Sequence, residues 1–249
     1  MGERSFQRLS AVQARGWLAA HTDALRLDAR DARDFDAGHL AGSVRLDGRN
    51  HEALLLRQPK SRPVFVYCYR GHASQTYARM FGDFGFQTVC DLIGGHEAWL
   101  RDLPPQLQAW LSASGYADAR RPGAHGNTPL MHAAWRGNAA AVQDLLDLGV
   151  DLHAVNSDGN NALWLACVAN DPALVTRLVQ AGVPIDHLNA TGASCLMYAA
   201  SSSKPVIVRT LLALGANASL QTQDGFTALD MVASLECLQL LRAASRPAG

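Results

Sequence analysis

Apolar and polar positions follow two different patterns along this chain, and the change falls shortly after residue 100. In the first part, short apolar runs alternate with helix-patterned stretches. The runs predict strands over 24–27, 43–46, 64–67 and 88–92. Between them, helices are predicted over 10–20, with Ser10 as N-cap, and over 31–35, 51–57, 74–84 and 96–100. Strands and helices alternating at this spacing predict a mostly parallel sheet with helices on both faces.

The second pattern is a repeat. Gly126, Gly159, Gly192 and Gly225 fall 33 residues apart, as do Leu130, Leu163, Leu196 and Leu229. The same offset relates Ala133, Ala166 and Ala199 (with Val232 fourth), then Val142, Val175 and Val208, then Leu145, Leu178 and Leu211, then Gly149, Gly182 and Gly215. Each unit reads as a turn, a short helix, a second helix and a helix-ending glycine. Small alanines let neighbouring first helices approach, and the leucines and valines of the second helices form a shared core. Thr128-Pro129-Leu130-Met131-His132-Ala133-Ala134 resembles the ankyrin signature, with Met131 where that family usually carries histidine. The resemblance implies an all-α solenoid that presents a concave surface to a protein partner. Residues 106–112 read as an N-terminal half-repeat cap, and the fourth unit, whose Leu240-Leu241 come four residues early, reads as a shortened C-terminal cap. The predicted domains are 1–104 and 105–249.

At 249 residues the chain is long enough for two cores, and with 48% apolar and 18% charged residues it belongs to the soluble globular class. Twenty arginines and two lysines balance the acids to zero net charge. That balance favours neither nucleic acid nor a membrane surface as partner. No apolar run approaches the ~18 residues of a membrane span, and the N-terminus carries no signal-peptide pattern. Five scattered cysteines without a CxxC pair point to a reducing, cytoplasmic setting rather than a disulfide framework. Neither a metal site nor a cofactor is expected, since the nine histidines show no ligand spacing.

The candidate chemistry centres on Cys68. It ends the run Val64-Phe65-Val66-Tyr67 and opens the loop Tyr69-Arg70-Gly71-His72-Ala73, after which a helix begins. A thiol at a strand end, under a loop of amide N–H groups and before a helix N-terminus, lies in positive potential. Such surroundings bring a cysteine pKa down from about 8.5 towards ~3.5–7.5, so that the nucleophilic thiolate dominates at neutral pH. Ligands of open parallel sheets bind beyond the carboxyl ends of the strands, where this loop lies. Cys90, Cys167, Cys195 and Cys237 read as packing residues, and Trp99 as core.

Three motifs around this loop resemble the rhodanese family. Asp28-Ala29-Arg30 with Gly38-His39-Leu40-Ala41-Gly42-Ser43 is similar to its acid-x-Arg strand end and Gly-His turn, although Ala41 replaces the usual proline. Cys68 to Ala73 matches the six-residue active loop, with Gly71 in fourth position, and Gly94-Gly95-His96-Glu97-Ala98-Trp99 resembles the C-terminal Gly-Gly-x-x-Ala-Trp motif. The resemblance implies a sulfurtransferase in which Cys68 takes sulfane sulfur from thiosulfate or a similar anionic donor and passes it to a thiol or cyanide acceptor. Tyr69, Arg70, Gly71, His72 and Ala73 form the substrate-binding loop, and Asp28 and Arg30 support it. Ala73 stands where other members carry Ser, Thr or Arg, which removes one hydrogen bond to substrate. The alternative is a non-catalytic interaction or sensing scaffold, against which the retained Cys68 and Gly71 speak. Arsenate reduction or phosphatase chemistry fits less well, because the loops of such relatives are generally one residue longer and end in arginine.

Overall fold

The computed structural model describes residues 6–244, and these form two compact units that divide near residue 108. In the first unit five strands make one parallel sheet in the order β1-β5-β4-β2-β3. They are β1 (Gln7–Leu9), β2 (Leu25–Asp28), β3 (Ser43–Arg45), β4 (Val64–Tyr67) and β5 (Val89–Leu92). Helices α1 (Ala11–Ala20), α2 (Ala32–Asp36), α3 (His51–Arg57), α4 (Ala73–Asp83) and α5 (Gly95–Arg101) connect or follow them.

Strand periodicity sorts the side chains onto two faces. Leu25, Leu27, Val64, Val66 and Val89 point to one face, where Leu55 of α3 and Ala78 and Phe81 of α4 complete the core. On the other face Trp17 of α1 stacks on Phe65 at 6.0 Å, and His96 of α5 stacks on Tyr67 at 5.9 Å. Burial from both sides explains why β4 and β5 read as apolar runs rather than alternating ones. The four predicted strands and five predicted helices form within a residue or so of their expected bounds. Ser10 caps α1 through a reciprocal bond with Gln13. One strand was not foreseen. β1 lies at the sheet edge with Gln7 exposed and only Leu9 buried, so its sequence carries almost no apolar signal.

The second unit is helical. It runs through α6 (Pro105–Ala113), α7 (Pro129–Trp135), α8 (Ala139–Leu148), α9 (Ala162–Ala169), α10 (Pro172–Ala181), α11 (Cys195–Ser201), α12 (Pro205–Ala213) and α13 (Leu235–Ala244). Thr128, Asn161 and Ser194, again 33 residues apart, each cap a first helix by accepting the N–H three residues on. The alanine columns of the first helices and the Val and Leu columns of the second are fully buried. Asparagines tie successive turns together: Asn156 donates to Asn127 at 3.0 Å and Asn189 to Asn160 at 3.1 Å.

The fourth unit departs from the expected helix pair, because only its second helix forms. Its first is replaced by a turn over 228–231, with the Asp230 carboxylate taking the Thr227 N–H at 2.8 Å. Ala228 is buried but Leu229 and Val232 are only partly so, which leaves too little apolar burial to hold a short helix. All five cysteines are buried and none forms a disulfide. Among the described residues no helix is long and apolar enough to cross a membrane.

The glycine column yields a direct test. Gly159 has φ +74° and a β-carbon there would sit 2.6 Å from the Ala190 nitrogen of the next turn, whereas at Gly225 (φ +81°) it would meet nothing. Gly225→Ala is expected to cost only the torsional strain, about 1–2 kcal/mol. Gly159→Ala adds a backbone collision and lowers the urea midpoint further; equal losses for the two would remove this account of the column.

Candidate active site

β4 ends at Tyr67 and delivers Cys68 to the carboxyl edge of the sheet, beside the ends of β2 and β5. The chain then turns through Tyr69–His72 into α4. Two contacts lock this turn onto α5: the His96 N–H donates to the Cys68 carbonyl at 2.8 Å, and the Glu97 N–H to the Tyr69 carbonyl at 3.1 Å. The first turn of a helix has unsatisfied N–H groups, and here the loop uses them. Such closeness requires glycine at position 95. A β-carbon there would lie 2.6 Å from the Arg70 nitrogen and would collide with the Cys68 carbonyl. Gly71 is equally constrained, with φ +76° and a hypothetical β-carbon 2.6 Å from the Leu92 carbonyl oxygen.

The Gly71 carbonyl is held from outside the loop by Arg8 Nη2 at 3.1 Å and Gln75 Nε2 at 2.6 Å. The N–H groups of Arg70, Gly71 and Ser74 lie near enough to the Cys68 sulfur to favour its charged form. The Ser74 hydroxyl lies 3.6 Å from Sγ and 3.2 Å from Asp91 Oδ2. Asp91 is in turn paired with Arg8, whose Nε donates at 2.8 Å. Facing a thiol, the Ser74 hydroxyl accepts from S–H and donates to Asp91; facing a thiolate, it turns its proton to sulfur while Arg8 keeps Asp91 compensated.

Burial pushes the Cys68 thiol up, but the Ser74 hydroxyl and the N–H groups of Ser74, Arg70 and Gly71 outweigh it and bring the pKa below the usual cysteine value. Elsewhere the sign is opposite. Burial and the neighbouring Asp91 push Cys90 up to about 12, and Cys195 is raised well above its ordinary value by its contact with Cys167 and by burial. Reactivity is therefore confined by environment and not by thiol count. Cys68 itself is only 3% exposed, so its sulfur lies at the base of the cradle instead of standing proud of the surface.

Tyr69, Arg70, His72 and Ala73 rim that mouth and are exposed, while Gly71 is buried beneath it. Arg70 Nε donates to Glu97 Oε1 at 2.8 Å in a solvent-exposed pair, a weak tether that leaves the guanidinium able to swing to an incoming anion. Hydrogen bonding to the Asp34 carboxylate leads the effects that raise the Tyr69 phenol to about 12. Asp28 and Arg30 lie deeper. Arg30 donates to both Asp28 oxygens at 2.7–3.0 Å and to the Gly38 carbonyl at 2.7 Å, and its Nη1 stands 3.0 Å from His96 Nδ1. Because arginine only donates, His96 Nδ1 is the acceptor. The Asp28–Arg30 pair thus orients the residue whose N–H grips the Cys68 carbonyl. His39 stacks on Phe35 and reaches the Phe35 carbonyl with Nδ1 at 2.9 Å, inside its own turn.

Reading the sequence singled out the loop but missed Arg8, Ser74, Asp91 and His96 as its supports. Asp91 carried a signal, being a lone carboxylate within an otherwise apolar strand, Val89-Cys90-Asp91-Leu92. Such a residue needs a partner. Arg8 carried none, because the strand that places it was itself illegible.

Removing the Ser74 hydroxyl should shift the thiolate balance in a known direction. A lost donor to sulfur disfavours the charged form, so the Ser74→Ala thiol pKa rises and its alkylation by iodoacetamide near pH 6 slows about tenfold. An unchanged rate–pH midpoint would show that the backbone N–H groups alone set the pKa.

A family model described as a rhodanese-like domain matches residues 13–102, and one described as ankyrin repeats (three copies) matches 96–185 and 163–246. Among curated proteins, the thiosulfate sulfurtransferase GlpE of Stutzerimonas stutzeri (strain A1501) is 33% identical over 103 residues, which is 41% of this chain and 93% of that protein. GlpE of Pseudomonas aeruginosa (strain LESB58) is 35% identical over 100 residues, 40% of this chain and 89% of its own length. GlpE of Coxiella burnetii (strain RSA 331 / Henzerling II) is 33% identical over 100 residues, 40% of this chain and 92% of its own length. Sulfurtransferase likeness and repeat likeness therefore share out the chain, and the protein belongs to the rhodanese-like family, with ankyrin repeats following its rhodanese-like domain.

Proposed function

We propose that the chain is a cytoplasmic sulfurtransferase that carries sulfane sulfur on Cys68, with residues 1–104 as the catalytic domain and 105–249 as a docking array. The observation that carries this reading is the convergence of three backbone N–H groups and the Ser74 hydroxyl on one sulfur whose pKa they lower. The relatives that match this domain are thiosulfate sulfurtransferases, which supports the same reading.

In this reading the Cys68 thiolate attacks the outer sulfur of thiosulfate. A new S–S bond forms, the old one breaks, and sulfite leaves with the bonding electron pair. The product persulfide is again an anion, so the donors that held the thiolate hold its terminal sulfur next. A thiol or cyanide nucleophile then attacks that outer sulfur and the Cys68 thiolate is returned, which makes the cycle ping-pong. Arg70, loosely tethered to Glu97, meets the sulfonate end of the donor with a forked cation. Tyr69, Gly71, His72 and Ala73 shape the mouth; lacking a side-chain hydroxyl, Ala73 leaves Ser74, one position on, as the hydroxyl near sulfur. Asp28 and Arg30 act through His96 and are positioning residues. The repeats dock a protein partner and so raise the local concentration of an acceptor.

The test uses the full chain. After thiosulfate treatment, intact mass should rise by about 32 Da, one sulfur atom, and added cyanide should release thiocyanate and restore the original mass. Cys68→Ser should show neither event while keeping its fold. Wild-type protein that gains no sulfur, or a Cys68→Ser variant that releases thiocyanate equally well, would leave the non-catalytic scaffold as the better reading.

A further inference from the structure

Within the repeat unit, a groove of about 530 Å³ opens between the loop 114–127 and the first helices α7 and α9. That volume suits a side chain or small ligand. Tyr116, His132 and Trp135 form one wall as a continuous aromatic array, with ring centroids 5.6 Å apart for Tyr116–His132 and 6.0 Å for His132–Trp135. Trp164 also lines the groove and packs on Tyr198, with ring centroids 5.1 Å apart. Trp135 is 49% exposed, a large indole left in water beside this hollow.

Subtraction shows what the groove offers a ligand. Its asparagines hold the turns together: Asn156 donates to Asn127 and accepts from the Asp158 and Asn160 N–H groups, and Asn160 accepts from Asn189. The Tyr116 hydroxyl donates to the Asn127 carbonyl at 3.3 Å. Burial, and then the charge of Arg136, lowers the His132 pKa, so that imidazole is neutral at pH 7. Among the described residues no lysine or arginine lines the hollow. What remains is a set of aromatic faces, the Ser114 hydroxyl, the His125 imidazole and the exposed carboxylate of Asp158, which among the described residues is bonded through its backbone alone. Aromatic faces carry negative potential and attract cations, and a carboxylate adds to that preference. The structure already shows the tendency, since the Arg136 guanidinium rests 5.1 Å from the Trp135 ring centroid.

We propose that this groove is a recognition site for a positively charged side chain, arginine or lysine, on an extended segment of the docked protein. The alkyl stem lies against Trp135 and Trp164, and the charged head meets Asp158. This deepens the docking half of the functional reading and rests on it, while remaining independent of sulfur transfer.

The probe is a five-residue peptide with a central arginine, titrated into the full chain while tryptophan fluorescence is followed. Control peptides carry citrulline, norleucine or glutamate at the centre. The arginine peptide should bind at least tenfold more tightly than the citrulline peptide, and Asp158→Asn should weaken it about tenfold without moving the citrulline value. Trp135→Ala should weaken both; Trp135 and Asp158 are exposed, so neither change threatens folding. Cys68→Ser should bind as wild type does. Equal or tighter binding of the neutral or acidic peptides, or indifference to Asp158→Asn, would overturn the cation site and leave docking intact. No binding by any peptide up to about 5 mM, weaker than such contacts give, would overturn both.

Discussion

Everything chemical in this protein depends on how closely the Cys68 loop lies against the start of α5. Two helix N–H groups that would otherwise lack partners take the carbonyls of Cys68 and Tyr69. Because those carbonyls are drawn to α5, the following N–H groups turn inward to the sulfur. The approach is possible only because position 95 has no side chain. One steric fact thus bears on an electrostatic one: a thiolate at this sulfur is stabilised by N–H dipoles whose placement the close approach at position 95 permits.

A second layer keeps those dipoles in place. Arg8 spans from the edge strand to the Gly71 carbonyl and to Asp91, and Asp91 reaches Ser74. On the opposite side Asp28 and Arg30 orient His96. Both supports contain a buried carboxylate paired with arginine, so each charge is compensated where it would otherwise be costly. The mouth is the contrast. Arg70 and Glu97 form an exposed pair with little to hold it. Charge is compensated and fixed where it is buried, and loosely held where it is exposed.

The repeat unit follows a different logic. Its stability is spread over equivalent contacts, with Ala columns allowing approach and Val and Leu columns filling the space between helices. The fourth unit lacks its first helix, as expected where Leu229 and Val232 are only partly buried. The same economy leaves a groove whose asparagines are engaged in holding turns and whose lining is largely aromatic.

Much of this was legible in the residues. Val64 to Tyr67 reads as a doubly buried strand because both its faces are apolar, and the 33-residue columns read as a solenoid because the fold itself is periodic. The short loop from Cys68, with Gly71 in it, marked the site for the same reason: tight turns restrict which residue types can occupy them. Arg8, Asp91 and Ser74 were not legible as a group. They lie in β1, β5 and α4, and only strand pairing brings Arg8 beside Asp91 and Asp91 beneath Ser74. The amino-acid sequence determined which backbone segments form and which thiol ends a strand, since those are local matters of pattern and torsion. Tertiary structure alone decided that this thiol is acidified, how deep it sits and which distant charges steady it, because hydrogen bonds and burial depend on proximity in space, not on distance along the chain.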